Sequence, residues 1–242
     1  MDIRYFDTLE STNLYCKLLD PDSVEEFTVI CARTQTAGIG QPGNVWVSQP
    51  GANLTFSLIL KPSFLAAADQ YELTMMLAVA VAESVSQRVG THPVAIKWPN
   101  DIYVGDKKIC GILTTGQIHN THLSQAICGV GLNVNQTTFP AWVPDPTSLK
   151  ILTGTDHDIE GVLGDLLRQI SLRYEQLKSD AEAIRTRYLQ LLYRKDREAS
   201  YETADGIVHA TITGVDRFGH LLLRRADGTA MTCDIKTIRF II

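Results

Sequence analysis

Apolar residues recur along this chain with two different periods. Leu73, Met76, Leu77, Ala80, Val81, Ser84 and Val85 fall at helical spacing and predict a helix over residues 66–89. Val162, Leu163, Leu166, Leu167, Ile170, Tyr174 and Leu177 define a long amphipathic helix, and Ile184, Tyr188, Leu191 and Leu192 define another. Shorter β-branched runs at 27–32, 54–60, 94–98 and 124–133 read as buried strands. Residues 102–104 and 108–115 flank the polar turn Gly105-Asp106-Lys107 and form a hairpin. Ser11-Thr12-Asn13 precedes Leu14, and such side chains accept the free N–H groups of a helix start, so a short helix begins there.

The texture changes after Tyr193-Arg194-Lys195-Asp196. Residues 206–242 alternate in short segments, with turn signals at 216–219 and 226–228. The expected architecture is α+β. A mixed β-sheet covered by helices occupies residues 1–195, and a small SH3-like β-barrel occupies 196–242. Residues 34–53, rich in Gly, Pro, Gln and Asn, form a loop longer than compact domains usually tolerate without a function.

Composition narrows the class. The 242 residues are 45% hydrophobic and 20% charged, values of a globular chain, and the net charge of -5 disfavours nucleic-acid phosphates as a partner. The N-terminus lacks the apolar stretch of a signal peptide, and residues 77–82 fall far short of the roughly 20 that a membrane span needs. Five cysteines, none in a C-x-x-C, read as buried free thiols of a cytoplasmic protein. His119 and His122 sit in a polar loop and are not read as a metal site.

Three segments carry candidate chemistry. Gly38-Ile39-Gly40-Gln41-Pro42-Gly43-Asn44-Val45-Trp46 contains a formal G-x-G-x-x-G. A dinucleotide fingerprint needs its third glycine to open a helix, and Pro42 with the β-branched, Pro/Gly-containing stretch to Gly51 forbids one. The alternatives are a glycine loop whose N–H groups wrap an anion, with Trp46 closing over a flat ligand, or a plain surface loop. Lys97-Trp98-Pro99-Asn100-Asp101 sets an amide and a carboxylate at a strand end, and the hairpin returns Lys108 toward them. A cation beside a carboxylate suits phosphate neutralisation next to a base, although a capped turn fits the segment equally and an exposed hairpin lysine is the default reading of Lys108. Gly129-Val130-Gly131-Leu132-Asn133 puts two glycines in an apolar strand, the mark of a bulge or of close ligand approach.

In this order, with Glu10-Ser11-Thr12-Asn13, Gln35-Thr36-Ala37-Gly38, residues 50–54, Lys108-Ile109-Cys110-Gly111-Ile112-Leu113 and Pro146-Thr147-Ser148-Leu149, the segments resemble the biotin protein ligases. These share a superfamily with lipoyl and octanoyl transferases. The resemblance spans the whole chain. It implies ATP-dependent formation of biotinyl-5'-AMP, then transfer of biotin to a lysine of a biotin carboxyl carrier protein. ATP enters as its Mg2+ complex, with no metal held by protein side chains alone.

By that resemblance Ser11, Thr12, Asn13 and Gln35 contact biotin, with Gly111 and Gly129 allowing close backbone approach. Gly38, Ile39, Gly40 and Gln41 form the adenylate loop, Trp46 shields the adenine side, and Asn100 and Asn133 lie along the nucleotide. Lys108 neutralises the carboxylate–phosphate junction, and Asp101 orients or deprotonates the carrier lysine. Loop 34–53 is expected to order when the adenylate binds. Ser11-Thr12-Asn13 falls so early that no DNA-binding arm or repressor activity is expected; the protein acts as a monomer or homodimer away from DNA and membranes. One departure stands out: the family's loop usually carries basic residues where this chain has Ile39 and Gln41, and Arg33 is a candidate substitute.

Overall fold

The computed structural model describes residues 1–242. A seven-stranded mixed sheet runs in the order β1-β2-β3-β7-β6-β5-β4, with β1 (Asp2–Leu9), β2 (Thr28–Gln35), β3 (Leu54–Leu60), β4 (Val94–Lys97), β5 (Asp101–Val104), β6 (Lys107–His119) and β7 (His122–Leu132). Only the β1–β2 pair is parallel, and α1 (Thr12–Leu18) makes its crossover. The other neighbours pair antiparallel.

Neighbouring residues of a strand face opposite sides, and the two sides have different covers. Val29, Leu58 and Cys128 point into the main core, where α2 (Tyr71–Ser86), α4 (Ile159–Ser179) and α5 (Ala181–Leu191) pack. Helix α2 is buried almost all round, which its Leu-Ala-Val-Ala-Val-Ala run requires. Ile30, Ile59 and Ile127 face the other way and pack with Cys16 of α1 and with Val24. This second face, only partly covered by α1, carries the candidate site. Asp158 and Asp180 cap α4 and α5 by accepting from free N–H groups of their first turns.

A short helix, α3 (Leu149–Thr153), precedes α4. The C-terminal strands β8 (Glu198–Thr203), β9 (Gly206–Val215), β10 (Leu221–Arg225), β11 (Ala230–Cys233) and β12 (Ile238–Phe240) form an antiparallel sheet in the order β11-β10-β9-β8-β12. The sheet suits the SH3-like unit expected, but no ladder joins β11 to β12, so the barrel is not closed.

Three elements differ from the expectations. Strand β1 is an exposed edge, and its sequence lacks the apolar alternation that would reveal it. The helix expected over 66–89 is split: Ala67–Asp69 is a 3-10 turn and the α-helix starts at Tyr71. The hairpin arm beyond Thr115 continues to His119, because the β6–β7 ladder extends from Cys110 to His119, which pairs with His122.

Candidate functional site

The sheet face under α1 opens into a cleft of about 250 Å³. Its floor is made by glycines on adjacent strands: Gly111 on β6 and Gly129 and Gly131 on β7, with Gly111 opposite Gly131. Missing side chains lower the sheet locally, so that a ring or a backbone can lie close to it.

One end is built from the start of α1. Ser11, Thr12 and Asn13 are all buried, and Ser11 caps the helix. The side-chain carbonyl oxygen of Gln35, at the end of β2, accepts from the Thr12 backbone N–H at 2.8 Å and from its hydroxyl at 3.2 Å. The same hydroxyl lies 2.8 Å from Ser57 Oγ on β3. Asn13 differs: neither atom of its side-chain amide has a partner, although both are buried. It lies beside Gly129, where an added Cβ would sit 3.3 Å from Asn13 Nδ2. A buried amide leaves its donors and acceptor unpaired at a penalty of about 1–3 kcal/mol per group, so Asn13 points to a polar ligand.

The other end carries charge. Lys108 Nζ pairs with Asp101 Oδ1 at 2.7 Å. Asp101 opens β5 and Lys108 lies in β6, whose ladder is irregular at that point. The Asn100 turn is clamped to β6 twice: its carbonyl accepts from Ile112 N–H at 3.1 Å, and its side-chain amide donates to Ile112 O. Lys97 faces the same cleft, with its ammonium 5.2 Å from the Tyr103 ring and 4.9 Å from the Phe240 ring. Burial pulls its pKa down, against the opposing pull of Asp101.

Residues 38–46 fold over the cleft as a flap. Trp46 N–H donates to Gly38 O and Gly40 N–H to Asn44 O, and an Ile39–Val45 bridge closes the loop. The Trp46 indole presses on the glycine floor: a Cβ on Gly131 would lie 2.3 Å from its Cε2, and one on Gly111 3.2 Å from its Cζ3. Its Nε1 has no partner, and the ring lies 5.8 Å from Lys108 Nζ. A drug-sized ligand typically occupies roughly 300–1,000 Å³, so this indole, lying where a flat ligand would rest, holds the cleft small.

The cleft therefore unites most of the residues singled out from sequence: Ser11, Thr12, Asn13, Gln35, Ile39, Gly40, Gln41, Trp46, Asn100, Asp101, Lys108, Gly111 and Gly129. Gly38 lies at the hinge of the flap, outside the lining; a side chain there would strike the Trp46 carbonyl at 2.4 Å. Asn133 lies outside as well. Its side chain donates to Thr147 O at 2.9 Å and so ties β7 to the segment before α3. Arg33 packs on Gly51 away from the cleft, so it does not replace the missing basic flap residues.

Sequence reasoning gave Lys97 no role of its own within its segment, and it missed Ser57 and the wall formed by Ile235, Ile238, Arg239 and Phe240. Ser57 was traceable, since a hydroxyl in a fully buried strand demands a partner. Nothing local marks the wall residues.

A glycine-floored face with neutral hydrogen-bonding groups at one end and a lysine–aspartate pair at the other, under a flap, is a site whose chemistry suits a polar head and an anion side by side. A family model described as the biotin/lipoate A/B protein ligase family matches residues 5–133, and the chain belongs to that family. It is similar to the bifunctional ligase/repressor BirA of Bacillus subtilis, 33% identical across 93% of this chain and 70% of that protein. The biotin–[acetyl-CoA-carboxylase] ligase of Paracoccus denitrificans is 30% identical across 90% of this chain and 92% of its own length. Among solved structures, a biotin protein ligase from Aquifex aeolicus in complex with biotin and ATP superposes with a TM-score of 0.82 at 25% identity, covering 99% of this chain and 98% of that one.

Proposed function

We propose that this chain is a cytoplasmic biotin protein ligase, which forms biotinyl-5'-AMP from biotin and ATP and passes the biotin to a lysine of a biotin carboxyl carrier protein. The observation that carries the reading is the joining, in one cleft, of the orphaned Asn13 amide with the Lys108–Asp101 pair.

In the first step a biotin carboxylate oxygen attacks the α-phosphorus of ATP, the bond to the β-phosphate oxygen breaks, and pyrophosphate leaves. Two anions must meet, and Lys108 offsets their repulsion. Asn13, Thr12, Gln35 and Ser57 hold the ureido head of biotin, and Ser11 keeps the start of α1 in place. Gly111 and Gly129 let the acid lie against the sheet. Trp46 swings off the glycine floor to admit the nucleotide and then covers it, with Gly40 and Gln41 along the adenylate and Gly38 as hinge. Asn100 holds the site turn, and Asn133 supports the site from outside the cleft.

In the second step the carrier amine attacks the acyl carbon, AMP departs, and Asp101 takes the amine proton. Asp101 is the only carboxylate lining the cleft, and no cluster of metal-ligating side chains exists in the chain. Mg2+ would accordingly enter with the nucleotide, Asp101 being the one carboxylate that could face it, and would supply charge neutralisation. The net charge of -5 supports a protein carrier, not nucleic acid, as the macromolecular partner. Subunit number, one or two, does not enter this chemistry.

Incubation with biotin, Mg-ATP and a biotinyl domain, followed by mass spectrometry of that domain, tests the reading. One added biotinyl group is expected. Pyrophosphate release with lipoate and none with biotin would overturn it.

A further inference from the structure

The turn from Asp216 to His220 joins β9 to β10 in the second sheet, yet it lies against the back of the catalytic turn. Gly219 O accepts from Trp98 Nε1 at 2.8 Å. The Gly219 α-carbon rests on the Tyr71 ring: an added Cβ would stand 2.4 Å from Tyr71 Cδ2, and the residue has φ +92°. The ring has no freedom to yield. Tyr71 OH donates to Pro99 O at 2.9 Å and lies 3.1 Å from Tyr188 OH, and the side chain is buried. Both contacts therefore end on Trp98-Pro99, immediately before Asn100 and Asp101.

The turn is stiff in its own right. Asp216 accepts from the backbone N–H groups of Phe218 and His220, each at 2.9 Å, and its second oxygen meets His220 Nδ1 at 2.8 Å. Arg217 pairs with Asp69, just before α2, at 2.7 Å. A rigid turn fixed on two sides holds whatever it touches in a single place. From here the path is short: Asn100 is clamped to Ile112, and Asp101 pairs with Lys108.

We propose that Asp216, Gly219 and Tyr71 are positioning residues for the nucleotide half of the site, through which the second sheet sets the Trp98–Asp101 turn and so the Lys108–Asp101 pair. This rests on the ligase reading of the cleft. The biotin end offers an internal control. Its hydrogen-bonding groups, Thr12, Asn13, Gln35 and Ser57, belong to α1, β2 and β3, and none of them touches this turn.

The test uses the full-length protein and two readouts: the kcat of biotin-dependent pyrophosphate release, and biotin affinity by calorimetry without nucleotide. Gly219→Ala and Asp216→Ala are expected to lower kcat roughly 10–100-fold, since small misplacements remote from the chemistry have effects of that size. Biotin affinity should stay within about twofold. Tyr71→Phe keeps the ring and loses the hydroxyl's bonds to Pro99 O and Tyr188 OH, only the first of which reaches the turn, so about a 2–10-fold fall is expected. Asp216→Asn keeps the backbone acceptor and should recover most of the rate lost in Asp216→Ala. Unchanged kcat in Gly219→Ala and Asp216→Ala overturns the proposal, as does a parallel fall of kcat and biotin affinity, which is loss of fold and not of position. A parent protein that binds no biotin overturns the ligase reading itself, and with it this inference.

Discussion

The two ends of the cleft are prepared to different degrees. At the biotin end, Thr12, Gln35 and Ser57 already hold one another, and all three sit on regular elements, Thr12 at the start of α1, Gln35 on β2 and Ser57 on β3. At the proposed nucleotide end, an indole occupies the floor, the flap over it carries no cation, and Lys108, proposed to meet phosphate, is paired with Asp101. The first end needs only an acid to fill it. The second must exchange partners before it can work. The contrast suggests that biotin binds to a nearly finished site and that nucleotide binding carries the rearrangement.

Removing the charge should break the nucleotide end alone. Lys108→Ala is expected to lower adenylate formation about 10²–10³-fold, the usual effect of losing one fixed stabiliser of developing charge. Biotin affinity without nucleotide should fall much less, because Lys108 faces only the carboxylate of the acid and touches none of the groups around Asn13 that hold its head. Single-turnover pyrophosphate release beside calorimetric biotin titration separates the two, and equal losses in both would mean that the ends are not independent.

Asn13→Ala makes the opposite cut. Its amide has no protein partner, so folding loses nothing when it goes, and thermal stability should stay level or rise slightly. Biotin affinity should fall roughly 10–100-fold, the worth of hydrogen bonds to a desolvated polar head. Thr12→Val differs: it strands Ser57, while Gln35 keeps the Thr12 backbone N–H, and it should destabilise the fold by about 1–3 kcal/mol as well as weaken biotin. A melting curve on each variant distinguishes a group held ready for ligand from one bound into the fold.

Restoring a basic flap residue sharpens the comparison from the other side. Ile39 lines the cleft, whose cations are Lys97, Lys108 and Arg239, and Arg239 pairs with Glu202 at 2.6 Å. Ile39→Arg should lower the KM for ATP by up to about tenfold. A charged hydrogen bond is worth roughly 1.5–3 kcal/mol, and part of it is lost in ordering the flap. No change in KM would show that the wall of the second sheet already supplies the charge that the flap lacks.

How far these ends were legible in the sequence follows the same division. The helix-start residues and the strand-end Asn100-Asp101 announce themselves, because capping and strand termination are local events that leave local signals. The glycines of β7 read as close approach, yet nothing nearby says that Trp46 is what approaches. Asn133 sits beside those glycines and looked like a ligand group; its tie to Thr147 depends on where a segment 14 residues away returns. Strand β1 escaped because an exposed edge needs no apolar face, and the cleft wall from 235 to 240 escaped because the docking of two sheets has no sequence period.

The smallest effect concerns a thiol. Cys16 lies on the inner side of α1, packed with Val24, Ile30, Ile59 and Ile127 behind the biotin end, and burial pushes its pKa up to about 12. The buried thiol is kept protonated and out of reach of a reagent, so alkylation proceeds through local opening of α1. Biotin held by Asn13 and Thr12 at the start of that helix should suppress this opening and slow Cys16 labelling. Cys233, in the second sheet, should be unaffected. ATP alone should leave the Cys16 rate unchanged, since its end of the cleft rearranges through the flap and not through α1. Mass spectrometry of iodoacetamide-treated protein, with each ligand in turn, reads both rates at once. If ATP alone protected Cys16 as well as biotin does, α1 would belong to the moving part of the site, and the two ends would have to be treated as one.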